Sequence, residues 1–112
     1  MDFTTASAML IDKRGRKRPT KKLKNNTYLV RLDSETIGVQ LHQTIVVKIH
    51  NDGTYTLNSG GWQTVTTKQR INEYSPVRVN QRKYQWYVGD EEIPFKDGIR
   101  VIVKHGFGVA LV

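Results

Sequence analysis

The run Thr44-Ile45-Val46-Val47-Lys48-Ile49-His50, then Asn51-Asp52-Gly53, then Thr54-Tyr55-Thr56-Leu57 decides the fold class. β-Branched and aromatic residues dominate both arms, and Asn-Asp-Gly between them is turn chemistry. A three-residue loop with Gly53 in the left-handed region pairs Ile49 with Tyr55 and Val47 with Leu57. A two-residue loop would set Leu57 against Lys48. Because a one-residue slip turns every side chain to the other face, the register that collects apolar residues on one face is expected. The centre of the chain is therefore an antiparallel hairpin.

Moving outward, Tyr28 to Leu32 reads as a strand and Asp33-Ser34-Glu35 as a turn. Ile37, Val39 and Leu41 alternate with Gly38 and Gln40, which predicts a half-buried strand. Downstream, Ser59-Gly60-Gly61 closes the hairpin. Thr66-Thr67-Lys68-Gln69 has capping-box spacing, which predicts a helix with Thr66 as N-cap, carrying Ile71 and Tyr74 on one face and ending before Pro76. Val77 to Val79, Gln85 to Val88, the irregular Ile93-Pro94-Phe95 and Ile99 to Lys104 are further strand candidates. His105-Gly106-Phe107-Gly108-Val109 reads as a flexible tail. The sum is an α+β domain: a small, mostly antiparallel sheet with one short helix.

The chain has 112 residues and no cysteine, which is the length of one domain and excludes disulfides, zinc fingers and thiol nucleophiles. No stretch is long and apolar enough to span a membrane, and no signal peptide is read at the N-terminus. The net charge is +8, and its placement matters more than its size. Lys13, Arg14, Arg16, Lys17, Arg18, Lys21, Lys22 and Lys24 crowd into residues 13–24 with no acid among them. From Asn25 onward ten basic residues face eight acidic ones, so that part is close to neutral. Gly15 and Pro19 interrupt any helix, and like charges repel. Residues 1–24 are accordingly expected to be a disordered basic arm, and residues 25–112 a single folded domain.

Such a tract suits a polyanion, since Lys and Arg that neutralise phosphates release counterions. Arginine arms also enter minor grooves, which favours DNA over RNA. A solubilising tail and an acidic protein partner are the competing readings. On the domain, Lys68 and Arg70 flank the start of the predicted helix, where unpaired N–H groups favour anions. A plain capped helix is the bland alternative. Arg78, Arg82 and Lys83 alternate with Tyr84, Trp86 and Tyr87, the ingredients of single-strand binding, with Trp86 as a stacking platform. The competing reading packs the aromatics inward. Trp62, after two glycines, is expected to be a buried anchor between helix and sheet, with base stacking as its alternative.

Catalysis finds little support. His42, His50 and His105 lack metal-site spacing. His42, Asp52 and Ser59 could be drawn as a triad, but no nucleophile-elbow pattern surrounds Ser59. Asp90-Glu91-Glu92 reads as a solvated turn. No catalytic residue, metal or cofactor is expected.

Asn25-Asn26-Thr27-Tyr28, Leu41-His42, Asp52-Gly53-Thr54, Leu57-Asn58-Ser59-Gly60-Gly61-Trp62, Thr64 to Lys68 with Arg70-Ile71-Asn72, and Trp86-Tyr87-Val88 together form a distinctive pattern. In these residues, over about 21–98, the chain resembles a family of small uncharacterised tailed-bacteriophage proteins. The resemblance implies a phage source and no particular activity, and the basic tract lies largely outside its pattern. The resulting expectation is a non-enzymatic phage accessory protein that binds nucleic acid. A module that inhibits or redirects a host protein, and a minor virion or assembly protein, are the alternatives. The expected location is the host cytoplasm or the virion, with no membrane partner. The oligomeric state is open, and an edge strand offers a route to a homodimer.

Overall fold

The computed structural model describes residues 1–106 and 108–112. Helix α1 (Phe3–Met9) comes first, followed by β1 (Thr20–Lys24), β2 (Thr27–Asp33), β3 (Thr36–Leu41), β4 (Thr44–His50) and β5 (Thr54–Leu57). Helix α2 (Val65–Tyr74) follows, then β6 (Val79–Arg82), β7 (Gln85–Val88), β8 (Ile93–Pro94), β9 (Ile99–Val103) and β10 (Val109–Leu111). A seven-stranded antiparallel sheet runs β1-β2-β3-β4-β5-β9-β10, and β6-β7-β8 form a separate three-stranded sheet.

The central hairpin has the expected register: Ile49 faces Tyr55, Val47 faces Leu57, and Gly53 is left-handed with φ +88°. That register extends across the sheet. Ile37, Ile49, Tyr55 and Val101 form one row, and Val39, Val47, Leu57 and Ile99 the next. These rows are buried, and the core they build also takes in Ala6 and Leu10 at the N-terminal end, Ile71 from α2, and Trp86, Val88 and Phe95 from the small sheet and its flank. The helices and the small sheet thus cover one face of the large sheet. Strand β3 is buried more fully than an alternating pattern implies. Gly38 is buried as well, because its missing side chain lets Ile45 and Leu32 close over it.

The N-terminal region is ordered, which corrects the expected disordered arm. Asp2 caps α1 by accepting the Thr5 N–H at 2.8 Å. Ala6 and Leu10, one helical turn apart, are both buried. The segment after them returns through an Ile11–Lys17 bridge and continues into β1, which pairs with β2. Like-charge repulsion does not prevent this, because every lysine of β1 is exposed at the sheet edge. Lysine on an edge also blocks further strand pairing. The described residues therefore form two helices, where the sequence reading expected one.

Three further expectations shift. The N-cap of α2 is Thr64 and not Thr66. The Thr64 hydroxyl accepts the Thr67 N–H at 3.1 Å and bonds the Thr67 hydroxyl at 3.0 Å, and Thr67 is buried. That pairing outcompetes a cap two residues later. Strand β6 starts at Val79, where the side-chain amide of Asn72 brackets the backbone by accepting its N–H and donating to its carbonyl. In the tail expected over residues 105–109, Phe107 lies outside the described residues. Val109 begins β10, which pairs with β9.

Trp62 is 70% exposed and Trp86 is 1% exposed, the reverse of their expected roles. The Ser59-Gly60-Gly61 turn explains the first. Asp97 accepts the Ser59 N–H and hydroxyl, each at 2.7 Å, and the Gly61 N–H at 3.2 Å. Gly60 and Gly61 have φ of +63° and +84°. A Cβ on Gly60 would stand 2.6 Å from the Thr44 hydroxyl, whereas one on Gly61 meets nothing within 4 Å. Gly60→Ala is expected to destabilise the fold by about 2–3 kcal/mol, through left-handed strain plus the close approach. Gly61→Ala carries the strain alone, about 1–2 kcal/mol. Thermal melts check the ranking, and equal losses would discard the close-approach argument.

Candidate nucleic-acid interface

The basic tract is built around one carboxylate. Asp12 Oδ1 accepts the backbone N–H groups of Arg14 and Arg16, each at 2.9 Å. Its Oδ2 accepts Arg16 Nε at 3.1 Å and stands 3.7 Å from Arg18 Nε. The Gly15 N–H donates to the Asp12 carbonyl, and the Arg18 N–H to the Leu10 carbonyl. These bonds set residues 10–18 into a tight antiparallel turn whose cationic side chains point to water. The turn and β1 together line an open groove of about 760 Å³ that carries Lys13, Arg14, Arg16, Arg18, Lys21 and Lys22.

The hydrogen bond from the Arg16 N–H, more than any charge, holds the Asp12 carboxyl below its ordinary pKa. Its contribution to the turn is therefore complete above the unfolded value, about 3.9, and is lost as the pH falls through the folded value. A carboxyl NMR titration should place the Asp12 midpoint below about 3.9, with the Arg14 and Arg16 amide shifts moving in step. A midpoint at or above that value would remove the clamp from the account.

The candidate cations divide by their partners. Lys24 is taken up by Glu73 of α2 at 2.8 Å, and that contact lowers the Glu73 pKa. Arg16 and Arg18 share Asp12. Arg82 pairs with Glu92 and lies over the Tyr87 ring at 5.2 Å. Lys68 Nζ donates to Gln81 at 3.3 Å, and Arg70 Nε to the Thr27 hydroxyl at 2.9 Å, so both tie α2 to its neighbours. Arg78 is exposed just before β6, and Lys83 is exposed in the β6–β7 turn. Among the described residues, Lys13, Arg14, Lys17, Lys21 and Lys22 have no acidic side chain within 4.0 Å. The folded tract thus concentrates five open charges, while Lys68, Arg70 and Arg82 on α2 and the small sheet are engaged internally.

Trp86 does not face solvent. It is packed against Phe95 in an edge-to-face contact with ring centres 5.3 Å apart. The exposed aromatic of that hairpin is Tyr84, at 94%. Lys83 and Tyr84 have φ of +47° and +71°, a two-residue turn of the primed type made without glycine. The organising residue that sequence reasoning missed is Asp12. Its signal was present: an aspartate whose carboxylate can reach N–H groups two and four residues on is Asx-turn chemistry.

The imagined triad is not assembled. The Ser59 hydroxyl donates to Asp97, whereas Asp52 sits at the β4–β5 turn, bonded to Thr54 and Arg100. In the acidic run, Glu91 pairs with Lys104 and Glu92 with Arg82. Among the described residues, no group of three or more His, Asp or Glu could hold a metal ion, and no helix is long and apolar enough to cross a membrane.

A family model described as Kyanoviridae Gp96 protein matches residues 8–102, most of the chain. The chain belongs to this family of phage proteins. The match begins before the basic tract and contains all of it, so the tract is not an appendage to the family's pattern. No curated protein and no solved structure matches the chain.

Proposed function

We propose that this member of the Kyanoviridae Gp96 family is a non-enzymatic accessory protein that binds nucleic acid, with DNA the favoured polymer. The observation that carries the reading is the ordered basic groove. A disordered tail would supply charge without shape, but here one carboxylate fixes the turn and an edge strand extends it. Four cations with no acidic neighbour among the described residues, Lys13, Arg14, Lys21 and Lys22, line that groove. Ordered donors lose less freedom when they engage phosphates, so more of the Coulomb attraction survives as affinity.

Binding to short duplexes and single strands across a salt series tests the proposal. If about five phosphates are neutralised, log K falls with log salt with a slope of about −4 to −5 for duplex DNA. A flat salt dependence, or no binding at low salt, would reject it.

A protein partner is the second reading, supported by the opposite face of the large sheet. Tyr28 and Leu32 on β2 and Ile102 on β9 are each about 40% exposed there. A host target or a place in the virion would use that face. Retention of a host protein after nuclease treatment favours this reading, and loss of all partners on nuclease treatment favours the first.

A further inference from the structure

Trp62 stands in water while the fold holds it there. Leaving an indole exposed forgoes the burial of a large aromatic surface. The turn that presents it is nevertheless closely built. Asp97 accepts two N–H groups and a hydroxyl, Asn58 accepts the Gly60 N–H, and the Trp62 N–H donates to the Ser59 carbonyl at 3.0 Å. Gly60 lies against Thr44, leaving no room for a side chain. The indole therefore has a fixed backbone beneath it.

Beside it is a cleft of about 500 Å³. Trp62 supplies an aromatic face, Thr44 and Thr66 hydroxyls, and the buried Leu41 and Val46 close the cleft from below; the Thr64 hydroxyl is taken up in capping α2. A planar ring with polar edges matches that lining. The face of the ring would stack on the indole, and its edges would meet hydroxyl groups that can donate or accept. The cleft is also close to the basic strand. Lys24 of β1 is opposite Thr27 of β2, and Thr27 is opposite Leu41 of β3, which lines the cleft. Two strand spacings, about 10 Å, separate them.

We infer that the Trp62 cleft receives one unpaired base of a single strand whose phosphates follow β1. The inference rests on the nucleic-acid reading above. It adds that the protein discriminates single strands from duplexes, because bases stacked within a duplex have no free face. The Trp62–base stack is sequence-tolerant, since every base has a π-face.

The test uses the intact protein with an oligothymidylate, an oligouridylate and a duplex, followed by tryptophan emission. Trp62 emits at longer wavelength than the buried Trp86, so the two signals separate. Either single strand should quench the long-wavelength component, and the duplex should not. Trp62→Ala should weaken single-strand binding roughly tenfold, leaving the salt slope and the melting temperature unchanged. Trp62→Phe should restore most of the affinity. Steep salt-dependent binding with no quenching, and with equal affinity for Trp62→Ala, overturns the cleft inference and leaves the groove reading intact. If no strand binds in a salt-dependent way, both fall together.

Discussion

Trp86→Ala is expected to lower the unfolding free energy by about 3–5 kcal/mol, the range for emptying a large aromatic site in a core. Trp86 is 1% exposed, meets Phe95 edge to face, and lies in the same core as the inward rows of the large sheet. Its carbonyl also accepts the Phe95 N–H at 2.9 Å, so the ring and backbone fix the same junction. Domains of this size have total stabilities of about 5–15 kcal/mol, so the variant would be marginal. A fall in melting temperature of roughly 10–30 °C is expected. Trp86→Phe keeps part of the packing and should remain folded. That variant decides the role: per folded molecule it should bind nucleic acid as the parent does. If it binds more weakly while melting normally, Trp86 is a contact residue after all.

Neutralising the open cations should have the opposite profile. Lys13→Gln, Arg14→Gln, Lys17→Gln, Lys21→Gln and Lys22→Gln together remove five charges that make no ion pair within 4.0 Å among the described residues. Folding should be unchanged or slightly improved, because concentrated like charge works against the compact state. Affinity at low salt should fall at least about a hundredfold, and the salt slope should lose about four to five. A sixth substitution, made singly, tests geometry as well as charge. Lys24→Gln, whose lysine is already held by Glu73, should change the slope by clearly less than Lys22→Gln. Equal effects would mean that the tract acts as a diffuse charge and that its ordered shape is irrelevant.

Much of the large sheet was legible in the residues. The register of the β4–β5 hairpin follows from where apolar side chains must gather, and Gly53 is the residue that its turn requires. The end of α2 follows from Pro76, since Ser75 before it is extended, with φ −134° and ψ 159°. The start of α2 was less legible. The capping-box spacing pointed to Thr66, whereas the cap is Thr64, whose hydroxyl pairs with the buried Thr67. The candidate site was legible as a list of cations. Which of them are available was not, because that depends on Glu73, Glu92 and Asp12, which the fold brings beside them.

The chain by itself determined an antiparallel sheet with a capped helix, a composition free of cysteine and a charge excess confined to a dozen residues. Short-range physics is sufficient for these, since periodicity, turn chemistry and composition are local properties. Tertiary structure alone decided that the basic tract is ordered and that Trp86 is inside and Trp62 outside. Each of these depends on contacts between distant residues. Leu10 and Ala6 reach the core that the sheet provides, and Arg31 donates its N–H to the Pro19 carbonyl. Asp97 holds the Ser59 turn from 38 residues away. A tract of eight like charges reads as disordered until its surroundings supply the carboxylate, the paired strand and the buried leucine that offset the repulsion.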